Sequence, residues 1–261
     1  MPARALQKAH ALLNQITRTF EQEGILCEPI VLNGEPAEQI SLLANARDVD
    51  RVIVASSGHR GIARLLFGSL SRDLAASLEV PVCIVGHRAL SQKVAQKHQS
   101  RILVATSLRA SSDLCAGVGV ELAMATGSSI ALLHVIEQDQ MNVGERERAT
   151  RDAFHELESM LTDEHTAQLH PNFQVRVGSP ATEILAVARA VEPSLIVLGS
   201  PVDSLIHSMC GSKLVDEIVV EATCPILSVR QLKPSFSWIS EDLVRIPQNL
   251  APSEQSGPSS S

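Results

Sequence analysis

Two stretches of this chain match one another without a gap. Gly34–Ser56, GEPAEQISLLANARDVDRVIVAS, aligns with Gly178–Ser200, GSPATEILAVARAVEPSLIVLGS, at a constant offset of 144 residues. Gly34, Pro36, Ala37, Ile40, Ala44, Ala46 and Ser56 recur as Gly178, Pro180, Ala181, Ile184, Ala188, Ala190 and Ser200. The correspondence continues through Gly68-Ser69 and Gly211-Ser212 and ends in PVCIV (Pro81–Val85) and PILSV (Pro225–Val229). A repeat of domain size means duplication of a whole unit, not a solenoid of short repeats.

Each copy alternates strand and helix signals. The first reads as a helix over Ala9–Glu23, a strand around Cys27–Leu32 and a Gly34–Pro36 turn into a helix over Ala37–Ala46, with Pro tolerated in the first turn. A strand at Val52–Val54, a helix over Gly68–Leu78 and a strand at Val82–Val85 follow. The second copy reads as strand Ile102–Ala105, helix Asp113–Ala125, strand Ser129–Val135 and a long helical stretch over Gly144–Leu169. Strand Phe173–Val177, helix Ala181–Ala190, strand Leu195–Leu198, a helix after Gly211 and strand Ile226–Val229 complete it. Helical crossovers between short apolar strands imply an open, mostly parallel, doubly wound α/β sheet in each unit.

The first copy has no counterpart to the second copy's first two strands and the helix between them. An incomplete sheet exposes an edge and a face, to be covered by the second unit or by another chain; a misassigned start is the alternative. The expected division is a shortened unit over 1–95, a complete one over 100–230 and a tail over 231–261, its last dozen residues low in complexity and disordered. Phe236, Trp238, Leu243 and Ile246 in that tail either pack back onto a domain or form a partner-binding segment.

Composition narrows the function. The chain is 44% hydrophobic and 20% charged, with five Phe, one Trp and no Tyr, so Ile, Leu, Val and Ala must build the core. A net charge of −7 lacks the basic footprint of a nucleic-acid binder. Cys27, Cys83, Cys115, Cys210 and Cys224 form no CxxC pair and read as free thiols. The N-terminus has no apolar core of a signal peptide, and no stretch is apolar for the length of a membrane span. These features point to a cytoplasmic protein. The nine histidines show no HxH or HExxH spacing, no GxSxG elbow is present, and no enzyme is expected.

One loop stands out. After Val52–Val54 comes ASSGHRGIARLLFGS, residues 55–69, in which nine residues separate Gly58 from Gly68-Ser69. Ligands of open α/β sheets sit at the carboxyl ends of strands. Glycines allow close backbone approach, and free amides at a helix start can hold phosphate. Ser69 could add a hydroxyl, and His59, Arg60 and Arg64 positive charge. An ordinary loop with a helix cap is the other reading of the same residues.

Both the loop and the order of elements around it resemble the universal stress protein family. Its nucleotide-binding members carry Gly, two residues, Gly, nine residues, then Gly-Ser or Gly-Thr. In the first copy those positions are Ala55, Gly58 and Gly68-Ser69, so the single departure is an alanine. The resemblance implies Ala55, Gly58, His59, Arg60, Gly68 and Ser69 as site residues, with ATP and Mg²⁺ as the ligand if the site is used. The second copy departs further. Ser107 stands where an ATDGS-like segment places an Asp, Val202 replaces the second glycine, the spacing to Gly211-Ser212 is one residue short, and Asp203 adds negative charge. The family resemblance implies a non-enzymatic stress-response protein acting through homodimerisation or a protein partner. An ATP-binding sensor and a cytoplasmic regulator of a membrane transporter are the alternatives it leaves.

Overall fold

The computed structural model describes residues 3–55, 70, 73–75, 77–91, 100–108, 112–137, 141–200 and 208–230. The element order is α1 (Ala3–Gln22), α2 (Pro36–Arg47), β1 (Val52–Ala55), β2 (Val82–Val85), α3 (His87–Ser91), β3 (Arg101–Thr106), α4 (Ser112–Thr126) and β4 (Ser129–Ile136). It continues with α5 (Val143–Ser159), α6 (Asp163–Leu169), β5 (Asn172–Val177), α7 (Pro180–Val191), β6 (Leu195–Ser200), α8 (Ser208–Glu221) and β7 (Ile226–Arg230).

Both copies contribute to one seven-stranded sheet, ordered β1-β2-β7-β6-β3-β4-β5. Neighbours are parallel except β2 and β7, which meet antiparallel with Val82 opposite Ser228 and Ile84 opposite Ile226. The strands alternate between two cores, as a pleated sheet covered on both faces requires. Leu103, Leu133, Ile196 and Ile226 face α2, α7 and α8, in a core that also takes in Val82 and Ile84 of the first copy. Val104, Leu132, Val197 and Leu227 face α4 and α5 on the other side. Gly86 lies at the junction, where a Cβ would run into the carbonyl oxygen of Val219, so only glycine lets the two backbones approach this closely.

The copies repeat each other in detail. Asp48 and Glu192 close α2 and α7 in the left-handed conformation, their amides donating to the carbonyls of Ala44 and Ala188. Gly34 has φ 147°, and a Cβ there would sit 2.9 Å from Gln39; at Gly178 the same position meets Glu183.

Two expectations are corrected. Cys27–Leu32 forms no strand. Its counterpart β5 exists by pairing with β4, from Ala131 opposite Asn172 to Ile136 opposite Val177, and the first copy supplies no such neighbour. A bidentate ion pair from Arg47 to Glu28, 2.7 and 2.8 Å, ties this segment to the end of α2 instead. The helical stretch over Gly144–Leu169 is two helices. Thr162 stops it: its hydroxyl accepts from the His165 amide while the His165 ring accepts from the Thr162 amide, so a new helix is capped there. Of the helix expected over Gly68–Leu78, residues 70, 73–75 and 77 are helical among the described residues, and Leu74 and Leu78 are buried in the first core.

Candidate functional site

The antiparallel β2–β7 contact decides where sites can be. Strands β3, β4 and β6 run parallel to β7, whereas β1 and β2 run the opposite way. The carboxyl ends of the two copies therefore lie at opposite edges of the sheet. Ala55, where β1 ends and the glycine loop begins in the sequence, lies at the opposite end of the sheet from the carboxyl ends of β3, β4 and β6.

At the second copy's edge, the ends of β3, β4 and β6 frame a cleft of about 490 Å³. Ser107, His134, Glu137, Met141 and Gly199 line it, with apolar walls from Leu133, Ile184 and Leu198. The chain leaves β3 through a turn in which the Leu108 amide donates to Thr106 Oγ1 at 3.2 Å. That turn puts Leu108 at φ 55°, left-handed backbone that glycine of an ATDGS segment would take without strain. His134 Nδ1 lies 2.9 Å from the Thr106 carbonyl oxygen and so must donate to it, leaving Nε2 as the ring's acceptor in the neutral form. His134 lies near the end of β4 and Glu137 just beyond it, and neither these two nor Met141 carries a motif that signals them in the sequence.

The described lining of this cleft carries no cationic side chain to meet a triphosphate. Among its described lining residues none is Lys or Arg, Glu137 contributes a carboxylate, and Ser107 offers a neutral hydroxyl where a carboxylate is expected. An unscreened like charge near phosphate is repulsive. Among the described residues no group of three or more His, Cys, Asp or Glu could hold a metal ion. No helix there is long and apolar enough to cross a membrane.

In the first copy, Ala55 is the exposed end of β1. Gly58, His59, Arg60, Arg64, Gly68 and Ser69 lie outside the described residues. The alanine itself is harmless to the backbone. At its counterpart Gly199 a Cβ would meet Cys115 of α4 at 3.6 Å, an ordinary contact aimed at the helix.

The order of elements, the duplication and the sheet agree with a comparison of sequences, which matches the universal stress protein family over residues 2–86 and 99–230. The chain belongs to that family. Universal stress protein Sll1388 of Synechocystis sp. is 31% identical over 80 residues, 31% of this chain and 52% of the relative. Stress response protein NhaX of Bacillus subtilis is 38% identical over 55 residues, 21% of this chain and 33% of the relative. The chain thus spans about half the length, or less, of these curated relatives. Among solved structures, a universal stress protein from Archaeoglobus fulgidus superposes with a TM-score of 0.66 at 20% identity, covering 86% of this chain and 77% of that one. A functionally unknown protein from Pseudomonas aeruginosa PAO1 gives 0.62 at 13%, covering 90% and 79%. Both show the same α/β fold.

Proposed function

We propose that this family member is a non-catalytic, cytoplasmic stress-response protein that works by association with protein surfaces, the complete unit over 100–230 acting as scaffold for the shortened unit over 1–95. The observation that carries the reading is the cleft at β3, β4 and β6: it keeps the family's position for a ligand, yet its described lining residues include Glu137 and no Lys or Arg. A titration with ATP and Mg²⁺ tests it. The second copy contributes no saturable binding, and Ser107→Asp does not create any, because the Val202 and Asp203 changes remain. Tight binding by Ser107→Asp, or phosphate release from ATP by the wild-type chain, overturns the reading.

A second reading is favoured by one feature, the Gly58…Gly68-Ser69 spacing that follows β1. Here the first copy holds an adenine nucleotide through backbone amides and the Ser69 hydroxyl, with His59 and Arg60 beside it. Gly58→Val then abolishes ATP binding. Unchanged affinity in that variant removes the loop from consideration.

A further inference from the structure

The gapless offset pairs β1 and β2 of the first copy with β6 and β7 of the second. In the second copy β6 lies between β7 and β3, with Val197 opposite Val104 of β3. In the first copy β1 has β2 on one side and, among the described residues, no strand on the other. The twin residues show what that edge lacks. Ile53 corresponds to Val197, yet Val197 is 0% exposed in the second core while Ile53 is 67% exposed. The other face of β1 is covered, since Val52 and Val54 pack against the first core.

The backbone at this edge is open too. The Val52 amide donates to the Pro81 carbonyl at 3.0 Å, as the Ile196 amide does to that of Pro225. In a parallel pair alternate residues turn to alternate sides, so the Ile53 amide and carbonyl point away from β2, as those of Val197 point to β3. An unpaired edge beside a bare apolar side chain is a template for one more strand. On the pattern of β3 against β6, that strand runs parallel to β1.

We propose that the occupant is the chain's own tail, with residues 236–240, FSWIS, laid along β1 as a further strand of the sheet. Register fixes where the tail starts. β7 is antiparallel to β2, with Ile226 opposite Ile84 and Ser228 opposite Val82, so the chain leaves β7 at the end where β2 begins. Val52 opposite Val82 puts the beginning of β1 at that same end. A chain that continues from Arg230 along the open edge therefore runs parallel to β1, the direction the edge calls for. Length suits it as well. From β7 past β2 and β1 to a new strand is three strand spacings, about 14 Å. The five residues 231–235 reach about 17 Å when extended, and Pro234 favours extended backbone before it. Aromatic and β-branched residues suit a strand, and setting Trp238 opposite Ile53 brings Phe236 and Trp238 to the bare side of the sheet.

Trp238 is the one tryptophan of a chain without tyrosine, so its fluorescence reports this segment alone. In the full chain it is expected to emit as a buried indole, shielded from acrylamide to the same degree at every protein concentration. Ile53→Lys should remove that shielding, while Leu42→Lys on α2, also at an exposed position, leaves it intact. From the other side, Trp238→Asp should speed hydrogen exchange at the Ile53 amide by roughly 10-fold or more, with the Val104 amide unchanged. An unaltered far-ultraviolet spectrum shows that each variant is folded. A solvent-exposed Trp238 in the wild-type chain overturns the proposal and leaves the edge to a partner. So does shielding that survives Ile53→Lys, or an Ile53 amide indifferent to Trp238→Asp. Shielding that appears only as concentration rises assigns the edge to a second chain and overturns it too. None of these readouts involves ATP, so the nucleotide titration tests the cleft independently.

Discussion

Asp48 carries a local cost that its position makes easy to remove. It ends α2 at φ 48°, with its amide bonded to the Ala44 carbonyl, and left-handed backbone costs a residue with a Cβ about 1–2 kcal/mol. Asp48→Gly relieves this and gives back part of the gain through a more disordered unfolded chain. A net stabilisation of about 0.5 kcal/mol is expected, read from a denaturant midpoint. The buried cysteines make a second prediction. Burial pushes the Cys115 thiol up to about 12 and the Cys224 thiol up to about 11, from an ordinary 9.0. At pH 8 both stay protonated and unreactive, so a disulfide reagent should modify them only after the chain unfolds. The folded state holds these protons where the unfolded state releases them. Their contribution to stability is therefore whole below pH 9 and is lost as pH rises from 9 towards 11 and 12.

Among the elements, equivalent helices differ in what they support. Leu157→Ala on α5 empties a fully buried site and should cost about 3 kcal/mol; Leu13→Ala on α1 should cost the isolated chain under about 1 kcal/mol. Thermal melts of both variants at low protein concentration check the contrast. The same difference explains which elements are legible in a sequence. Val82–Val85 and Ile226–Arg230 are apolar runs that any covered sheet would accept. Cys27–Leu32 offers Ile30, Val31 and Leu32, but Pro29 has no amide to donate, and a strand is a property of a pair whose partner is missing. The break at Thr162 is not legible in the sequence, because an apolar pattern continues across it while the cap itself is a matter of two hydrogen bonds. In the cleft, Ser107 could be read from its place after the first strand of the second copy. His134 and Glu137 could not, because only the strand order β6-β3-β4 brings them to one edge.

For the whole molecule, the junction between copies is the decisive contact. Duplication was visible in the letters, but the fusion into one sheet was not, since neither β2 nor β7 carries a signal for its neighbour's direction. Gly86→Ala should strain this junction by about 1–3 kcal/mol, as backbone meets backbone at Val219. Hydrogen exchange would then show lost protection in β1 and β2 while β3, β4 and β5 keep theirs. The order of synthesis gives this junction another consequence. β2 rests on β7, the final strand among the described elements, so β1 and β2 leave the ribosome before the edge they will join. Translation at about 5–20 residues per second leaves the nascent N-terminal half waiting for several seconds with its apolar surface open. During that interval chaperones, proteases and other nascent chains have access to a surface that docking on Ile226–Arg230 later withdraws.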